Sequence, residues 1–309
     1  MNLQEKWFAV VNPNSANGRT RNEWPVFYQK ILSAGLNVDY SYTSSHGNGI
    51  DLTRKALSQG YKRIIAVGGD GTVNEVINGL FVNDRKATEG LELAILGNGT
   101  GSDFIRTYKS SNNIDHFINS LKDNCFFKSD VGKVTFQNRQ GKKECRYFLN
   151  AANIGIGAEI VNHVNKRSKA LGSKLTYFTG TIATIFRYNN ISTSLILDNI
   201  KFLEGIYCGL VICNGQYIGG GMHIAPQAKT NDGFFDLVVI DDISRLRLLS
   251  QFPLIYKGRH INLPEINIYR CQTISLVTTE ATILEADGEI LGFSPSEFSI
   301  LPQCLSIRI

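Results

Sequence analysis

Hydrophobic and polar residues in the first third of the chain alternate between two periodicities. Short apolar runs followed by Asn or Gly predict buried strands at residues 7–11, 63–67 and 91–96, and a segment of alternating residues predicts a strand at 38–42. Between them, apolar residues recur at helical spacing and predict helices at 24–34, 50–57 and 73–81. Strands that alternate with helices are typical of a parallel sheet, so we expect an α/β domain over residues 1–129.

The pattern changes beyond residue 125. Short alternating segments bounded by Gly, Asn and Asp predict strands at 133–137, 147–151, 194–197, 207–213, 235–240, 274–277 and 281–285. Helical spacing returns only near 174–188 and 244–256. We therefore expect an antiparallel β-sandwich domain over residues 130–296. The alternating tail at 297–309 fits either domain.

Composition and charge narrow the classes of protein that fit this pattern. A chain of 309 residues with 43% hydrophobic and 19% charged positions can bury a core, which excludes a disordered protein. Its 32 basic and 27 acidic side chains give a net charge of +5, a mild excess that suits phosphate groups or an anionic membrane surface. The basic residues form no dense stripe, so we expect no nucleic-acid partner.

The lack of a recognisable targeting signal and the spacing of the cysteines predict a cytoplasmic protein. The apolar runs are far shorter than the ~20 residues of a membrane-spanning helix, and the first residues lack the apolar core of a signal peptide. The six cysteines are scattered and form no CxxC pair, so we expect reduced thiols and no zinc site.

The run from Gly68 to Glu75, GGDGTVNE, is the strongest local motif. It follows a predicted strand and opens a predicted helix, so its glycines allow close backbone approach to a ligand and the helix N-terminus favours phosphate. An acid at Asp70 suits such a loop if Mg²⁺ bridges it to phosphate. The alternative is that Asp70 only caps a helix.

A second loop, from Gly97 to Asp103, has the same character after the next strand, and a polar turn at residues 12–18 follows the first. Loops after neighbouring parallel strands meet at one sheet edge, which favours a phosphate site. The sequence contains no P-loop GxxxxGK[ST] pattern and no protein-kinase motifs, and its match to a Rossmann dinucleotide motif is weak.

Three further motifs lie in the second half of the chain. The run from Gly219 to Pro226 begins with three glycines, which indicates close approach of the backbone to another element or a ligand. Asp232-Gly233 is a frequent hairpin turn. The run from Glu285 to Glu289 sets three carboxylates around a glycine, either as solvated surface or as a base and a metal-facing acid.

Taken in order, these motifs resemble the diacylglycerol kinase catalytic-domain family, which includes bacterial lipid kinases and sphingosine kinases. The resemblance spans nearly the whole chain, from Asn12-Pro13 to Asp287-Gly288-Glu289. It implies an N-terminal α/β nucleotide-binding domain with a parallel sheet, similar to that of NAD kinases, and a C-terminal antiparallel β-sandwich, with ATP in the cleft between them. It also implies that the tail at 297–309 returns to the first domain.

The resemblance implies a role for each matching residue. Glu289 would be the general base, Asp287 would help to organise metal and water, and Asp70 would hold the Mg²⁺–phosphate arrangement. A further Mg²⁺ site of bacterial members would use Asp232 and the main-chain carbonyls of Lys229 and Phe234. The ATP site would comprise Asn12, Pro13, Asn14, Ser15, Ala16, Thr43, Gly68, Gly69, Asp70, Gly71, Thr72, Val73, Asn74 and Thr100.

Two positions depart from the family pattern Pro-x-Gly-Thr-Gly-Asn-Asp. Gly97 stands in place of the proline and Ser102 in place of the asparagine. A loop with this composition is more flexible and lacks one side-chain amide, which would affect nucleotide preference or rate. The acidic triplet at 287–289 is intact, so we still expect an active enzyme.

The expected reaction is Mg²⁺-dependent transfer of the γ-phosphate of ATP to a lipid hydroxyl. The acceptor stays open among diacylglycerol, sphingoid bases and other lipids with a primary hydroxyl. Two alternatives are an NAD kinase-like enzyme, which shares the GGDG loop, and a nucleotide-binding protein without catalysis.

The expected partner is a lipid at the inner membrane surface, and a homodimer is compatible with a sandwich whose sheet has open edges. The apolar helix at 174–188 either faces the membrane or packs on a sheet. Basic residues precede or open this helix, namely Lys166, Arg167, Lys169 and Lys174.

Overall fold

The computed structural model describes residues 5–82, 85–86, 89–97, 103–108, 113–123, 126–167 and 173–308 of the chain. The chain forms two compact units. Unit 1 comprises Met1–Val131 and Pro302–Ile309, and unit 2 comprises Gly132–Leu301. The chain therefore passes from one unit to the other twice.

Unit 1 contains a sheet with the strand order β2-β1-β3-β6-β16, in which each neighbouring pair is parallel. Its strands are β1 (Trp7–Val11), β2 (Val38–Tyr42), β3 (Arg63–Gly68), β6 (Glu92–Gly97) and the end of β16 (Glu289–Arg308). A separate short hairpin comprises β4 (Phe81–Val82) and β5 (Arg85–Lys86). The helices are α1 (Arg19–Ser33), α2 (Asn48–Ser58), α3 (Asp70–Leu80), α4 (Asp103–Tyr108) and α5 (Ile114–Lys122).

Every residue of β1 is buried, as expected for a strand at the centre of a sheet with both faces covered. On one face, Trp7, Ala9 and Val11 share a core with Trp24 of α1 and Phe117 of α5. The apolar run of β1 therefore reflects burial on both faces.

The end of the chain belongs to unit 1. Residues Ser306–Arg308 of β16 pair in parallel with Glu92–Ala94 of β6. The buried guanidinium of Arg308 binds the Glu92 carboxylate at 2.7 Å and also donates to the carbonyl oxygen of Asp123. A buried, paired arginine fixes this terminal strand beside the sheet.

Unit 2 is dominated by antiparallel pairing, with the order β13-β12-β11-β10-β14-β16 and further pairs β9-β11, β9-β15, β15-β16 and β7-β8. The strands are β7 (Phe127–Gln137), β8 (Lys143–Phe148), β9 (Ala151–Gly155), β10 (Ile191–Leu197), β11 (Lys201–Cys213), β12 (Phe235–Asp241), β13 (Ile266–Cys271), β14 (Thr273–Thr278), β15 (Ile283–Ala286) and β16. The helices are α6 (Ile156–Arg167), α7 (Ser173–Arg187) and α8 (Arg245–Ile255).

The inward-facing residues of these strands share one core. Phe148 of β8 stacks on Phe235 of β12 with ring centroids 5.8 Å apart, and both rings are fully buried in the same cluster as Phe298 of β16. Large aromatic side chains contribute much of the apolar area that a core removes from water.

Several elements differ from the predictions, and helix α5, strand β13 and the β4–β5 hairpin were not predicted at all. Helix α6 was not predicted, because its glycine, asparagines and β-branched residues have low helix propensity. The strand predicted at 147–151 is two strands, β8 and β9, which the residues Leu149 and Asn150 separate. Helix α1 begins five residues before the predicted start at Trp24.

Among the described residues, no helix combines the length and apolarity needed to cross a bilayer. The described cysteines are free thiols, namely Cys145, Cys208, Cys213, Cys271 and Cys304. No group of three or more His, Cys, Asp or Glu side chains in this part of the chain is arranged to hold a metal ion.

Candidate active site

In unit 1, a hydrogen bond joins the loops that follow β1 and β3. The side-chain amide of Asn12 donates to Thr72 Oγ1 at 3.1 Å. The carbonyl oxygen of the same side chain accepts from the backbone amide of Asn14 at 3.0 Å, which is an Asx turn. Two segments 60 residues apart in sequence thus share one edge of the sheet.

Gly68 is required at the end of β3 because Thr72 lies against it. A Cβ added at Gly68 would lie 2.3 Å from Thr72 Oγ1 and 2.8 Å from its Cβ. The following residue, Gly69, caps α3, and its carbonyl oxygen accepts from the amides of Thr72 and Val73 at 2.9 and 3.2 Å. The glycines therefore permit a tight strand-to-helix turn.

Asp70 binds the first turn of another helix. Its carboxylate accepts from the backbone amides of Asp103 at 3.1 Å and Phe104 at 3.5 Å. Burial raises the pKa of Asp70, while these amides and the charge of Arg106 favour its ionised form. Asp70 thus caps α4 rather than its own helix, which links the two predicted glycine loops.

Most of the other predicted ATP-site positions described by the structure follow β1 or β2 or lie on α3. Ser15 Oγ donates to the carbonyl oxygen of Asn12 at 2.9 Å, and Ala16 has a positive φ of 53°. The amide of Thr43 donates to the carbonyl oxygen of Val11 at 2.8 Å. The remaining described positions at this edge are Pro13, Asn14, Gly71, Val73 and Asn74. Thr100 and Ser102 lie outside the described residues.

Glu75 has a structural role that the sequence did not predict. Its two carboxylate oxygens accept from the backbone amides of Gly47 and Gly49, each at 2.7 Å. These glycines lie at the start of α2, so Glu75 joins α3 to α2. Its place in the GGDGTVNE run marked it as part of a motif, but local spacing does not reveal a partner 26 residues earlier.

In unit 2, Asp287 and Gly288 form a two-residue hairpin turn between β15 and β16. Their φ angles are 47° and 89°, and Ala286 pairs with Glu289 across the turn. Positive φ at both positions is typical of a type I′ turn, in which Asp-Gly is favoured. Glu289, the predicted base, therefore begins β16 directly after a tight turn.

The Asp287 carboxylate anchors this turn to the start of β9. It accepts from the backbone amides of Leu149, Asn150 and Ala151 at 2.8, 3.0 and 3.2 Å. The sequence assigned Asp287 to metal and water, whereas its oxygens here accept hydrogen bonds from the main chain. Carboxylates that accept several amides hold a backbone conformation strongly.

Glu285 is buried and had no assigned role in the sequence analysis. One of its oxygens accepts from the Asn153 side-chain amide and the other from the Gly288 backbone amide. Burial raises the pKa of Glu285 to about 8, assisted by the charges of Asp287 and Glu289, and the two hydrogen bonds oppose this shift. Glu289 itself is half-buried.

In this structure an arginine occupies the carboxylate of the predicted second Mg²⁺ site. The only predicted carboxylate ligand is that of Asp232, and it is paired with the guanidinium of Arg270. Its other oxygen accepts from the Phe234 amide at 3.2 Å, and the guanidinium lies 4.7 Å from the centre of the Phe234 ring. Lys229 is exposed. An arginine is therefore the cation at this turn.

The Gly219 to Pro226 run forms a tight loop. Gly219, Gly220 and Gly221 have φ angles of 59°, 83° and 117°, which L-residues with a Cβ rarely adopt. The imidazole of His223 stacks on Tyr217 with centroids 4.4 Å apart. These glycines thus meet a backbone requirement within unit 2.

A cavity of about 710 Å³ lies within unit 2. Its lining is largely polar and includes Glu159, Asn162 and His163 of α6. The same helix contacts the acidic turn, because Asn165 Nδ2 donates to the Gly288 carbonyl oxygen at 3.3 Å. Helix α6 therefore connects the cavity wall to the turn that carries Glu289.

Comparisons with known proteins cover both halves of the chain. Residues 6–134 match the diacylglycerol kinase catalytic domain, and residues 150–309 match the YegS C-terminal NAD kinase beta sandwich-like domain. The diacylglycerol kinase of Staphylococcus carnosus (strain TM300) is 24% identical over 298 residues, which cover 96% of this chain and 93% of that protein.

Solved structures share the fold. The crystal structure of a diacylglycerol kinase from Bacillus anthracis str. Sterne has a TM-score of 0.75 and 24% identity, covering 98% of this chain and 96% of that one. An NAD kinase from Archaeoglobus fulgidus in complex with ATP has a TM-score of 0.50 and 13% identity, covering 98% and 93%.

The two domain matches follow one another along the chain in the order that the motifs predicted, and the relative from Staphylococcus carnosus aligns across both. This chain belongs to the diacylglycerol kinase catalytic-domain family.

Proposed function

We propose that this protein is an ATP- and Mg²⁺-dependent lipid kinase that transfers the γ-phosphate of ATP to the hydroxyl of a diacylglycerol-like lipid. The observation that carries the proposal is the joining of three loops at one sheet edge, by the Asn12–Thr72 and Asp70–Asp103 hydrogen bonds. Loops at the carboxyl ends of adjoining parallel strands are frequent phosphate sites.

Unit 1 is proposed to bind the nucleotide. The N-terminus of α3 and its glycine turn offer backbone amides that favour the phosphate groups. A carboxylate has about four lone pairs that can accept a hydrogen bond or bind a metal. At Asp70 two backbone amides occupy two of them, which leaves lone pairs for a metal ion. Asp70 therefore fits a metal-facing role and would hold Mg²⁺, which supplies charge neutralisation on the triphosphate when bound.

Unit 2 is proposed to supply the base. Glu289 is the half-buried acid beside the turn, and it would accept the proton of the lipid hydroxyl at its carboxylate. Asp287 would act by anchoring the turn, since its oxygens accept three backbone amides.

The proposed acceptor is a lipid with a polar head, as the name of the relative from Staphylococcus carnosus suggests. The largely polar lining of the cavity beside α6 suits a glycerol head group better than acyl chains. The acyl chains would stay at the membrane surface, where α7 is the proposed contact. Vesicle co-sedimentation tests that contact, and binding that ignores both salt and anionic lipid would contradict it.

A second candidate is NAD phosphorylation, because the fold also resembles that of an NAD kinase. The discriminating experiment measures Mg²⁺-dependent transfer of labelled γ-phosphate to diacylglycerol, a sphingoid base and other hydroxyl lipids in mixed micelles, with NAD as a further acceptor. Label on diacylglycerol supports the proposal, and label on NAD alone supports the second candidate. ATP binding without transfer to any acceptor would indicate a non-catalytic protein.

The base assignment has its own test. Glu289→Gln should nearly abolish turnover while the fold and ATP binding persist, because the amide cannot accept the proton. Glu204→Gln removes an exposed carboxylate of β11 and serves as the matched control. Turnover by Glu289→Gln at the rate of the control would remove Glu289 from the mechanism.

A further inference from the structure

Glu285 and Asn153 lie directly opposite each other on neighbouring antiparallel strands. They are register partners in the β15–β9 pair, and their exposed fractions are 2% and 5%. The Asn153 side-chain amide donates to Glu285 Oε2. Cross-strand partners share one face of a sheet, so this contact is set by strand register rather than by sequence spacing.

The second oxygen of Glu285 reaches forward into the acidic turn. It accepts the backbone amide of Gly288, three residues later. Gly288 immediately precedes Glu289, and its carbonyl oxygen accepts from Asn165 of α6 at 3.3 Å. Asp287 anchors the turn to β9, while Glu285 contacts it from the buried face of β15.

We propose that Glu285, oriented by Asn153, is a positioning residue that fixes the Gly288 peptide and thereby aims the Glu289 carboxylate. This inference rests on the proposed function of Glu289. Glu285 is too buried to touch a substrate, so it acts through the turn and not on the reacting atoms.

The pair joins a carboxyl group to a side-chain amide, and only one oxygen of the amide is left over. The buried Oδ1 atom of Asn153 has no hydrogen-bond partner among the described residues. The oxygen and nitrogen of an Asn amide exchange places by a flip of the side chain. After such a flip, a side chain at position 285 that carries one donor and one acceptor would donate to Asn153 Oδ1 and still accept from the Gly288 amide.

This arrangement predicts which replacements preserve the turn. Glutamine has the same length and fits both partners, because its carbonyl oxygen accepts from Gly288 and its NH₂ group donates to Asn153 Oδ1. Aspartate is one methylene shorter and cannot reach both partners. Leucine has a similar volume but leaves the Gly288 amide without an acceptor.

The test compares the kcat and KM of Glu285→Gln, Glu285→Asp and Glu285→Leu for lipid phosphorylation, with Glu204→Gln as the control. Misplacement of a catalytic group by about 1 Å costs about 100-fold in rate, so the Asp and Leu variants should lose about that much kcat. Their KM for ATP should stay near the wild-type value. Glu285→Gln should retain kcat within about threefold, which a purely ionic role would not allow.

Hydrogen exchange of the Gly288 amide gives a readout that does not depend on the lipid reaction. Exchange should be at least about tenfold faster in Glu285→Asp and Glu285→Leu than in the wild type, and unchanged in Glu285→Gln. If the wild type phosphorylates no lipid, the proposed function fails, and this measurement still decides whether Glu285 holds the turn.

The inference is wrong if the Gly288 amide exchanges at the wild-type rate in both Glu285→Asp and Glu285→Leu. It is also wrong if both of these variants keep the wild-type kcat, or if Glu285→Gln loses as much kcat as Glu285→Leu. Glu285→Asp keeps the test decisive if Glu285→Leu fails to fold, since the smaller acid preserves the polarity of the site.

Discussion

The carboxylate of Asp70 accepts a hydrogen bond from the backbone amide of Asp103 at 3.1 Å, across 33 residues of sequence. One residue begins α3 and the other begins α4, and each helix follows a strand of the same parallel pair, β3 and β6. A single side chain thus holds together the two glycine loops of the proposed phosphate site.

Substitution of Asp70 should separate its capping role from its proposed metal role. Asp70→Ala removes the acceptor for the α4 amides and should lower the free energy of unfolding by about 1 kcal/mol, the usual loss at a helix cap. Asp70→Asn retains one acceptor oxygen for the shorter of the two bonds, so its unfolding midpoint in urea should lie closer to the wild type than that of Asp70→Ala, while its Mg²⁺-dependent ATP affinity falls. An Ala variant as stable as the wild type would contradict the capping role.

Substitution of Gly68 should disturb the phosphate site through one neighbour. Gly68→Ala places a Cβ 2.3 Å from Thr72 Oγ1, and such overpacking typically costs about 1–3 kcal/mol. We expect lower stability and weaker ATP binding, measured by urea unfolding and calorimetry. The double variant Gly68→Ala/Thr72→Gly should behave like Thr72→Gly alone, because glycine removes both the Oγ1 and the Cβ atoms that the new methyl group would meet. Additive losses in the double variant would place the defect elsewhere.

The buried Glu285 predicts a pH dependence of stability. Its pKa is raised from 4.5 to about 8 in the folded chain, so between these values the folded state holds a proton that the unfolded state has released. The free energy of unfolding should therefore fall as pH rises through this range, by at most about 1.4 kcal/mol per pH unit. Urea unfolding at pH 5 and pH 8.5 should show this decline in the wild type and in Glu204→Gln. Glu285→Gln should lack it, and equal slopes in all three proteins would contradict the shifted pKa.

The Asp232–Arg270 pair predicts that this turn does not depend on a divalent cation. A structural ion present at 100 times its Kd would add about 2.7 kcal/mol of stability, a shift of several degrees in Tm. We expect the Tm of the nucleotide-free protein to be the same in Mg²⁺ and in EDTA.

Arg270→Gln should lower the Tm, because it leaves Asp232 near the buried Asp236 without the neutralising guanidinium, and Mg²⁺ should then partly restore it. Arg247→Gln, which breaks an ion pair with Glu265 in the same unit, is the control. A Tm of the wild type that falls in EDTA would show that a metal does bind.

Much of the element order followed from local patterns. The strands around Val10 and Ile65 and the helix around Val76 were predicted because periodicity and turn residues are properties of adjacent positions. The glycine motifs and the acidic triplet are also runs of adjacent residues, so they indicated the family from the sequence. The two domain matches agree with that family. Helix α6 was missed because its propensity is weak and packing within unit 2 stabilises it.

The sequence by itself determined the alternation of strands and helices, the glycine turns and the family. Only the tertiary structure decided the partners of the charged groups: Asp70 with the amides of α4, Asp287 with those of residues 149–151, Glu285 with Asn153, and Asp232 with Arg270. Each of these contacts joins residues that are distant in sequence. Their distances depend on strand order and register, which the burial of whole sheet faces selects and which local spacing does not encode.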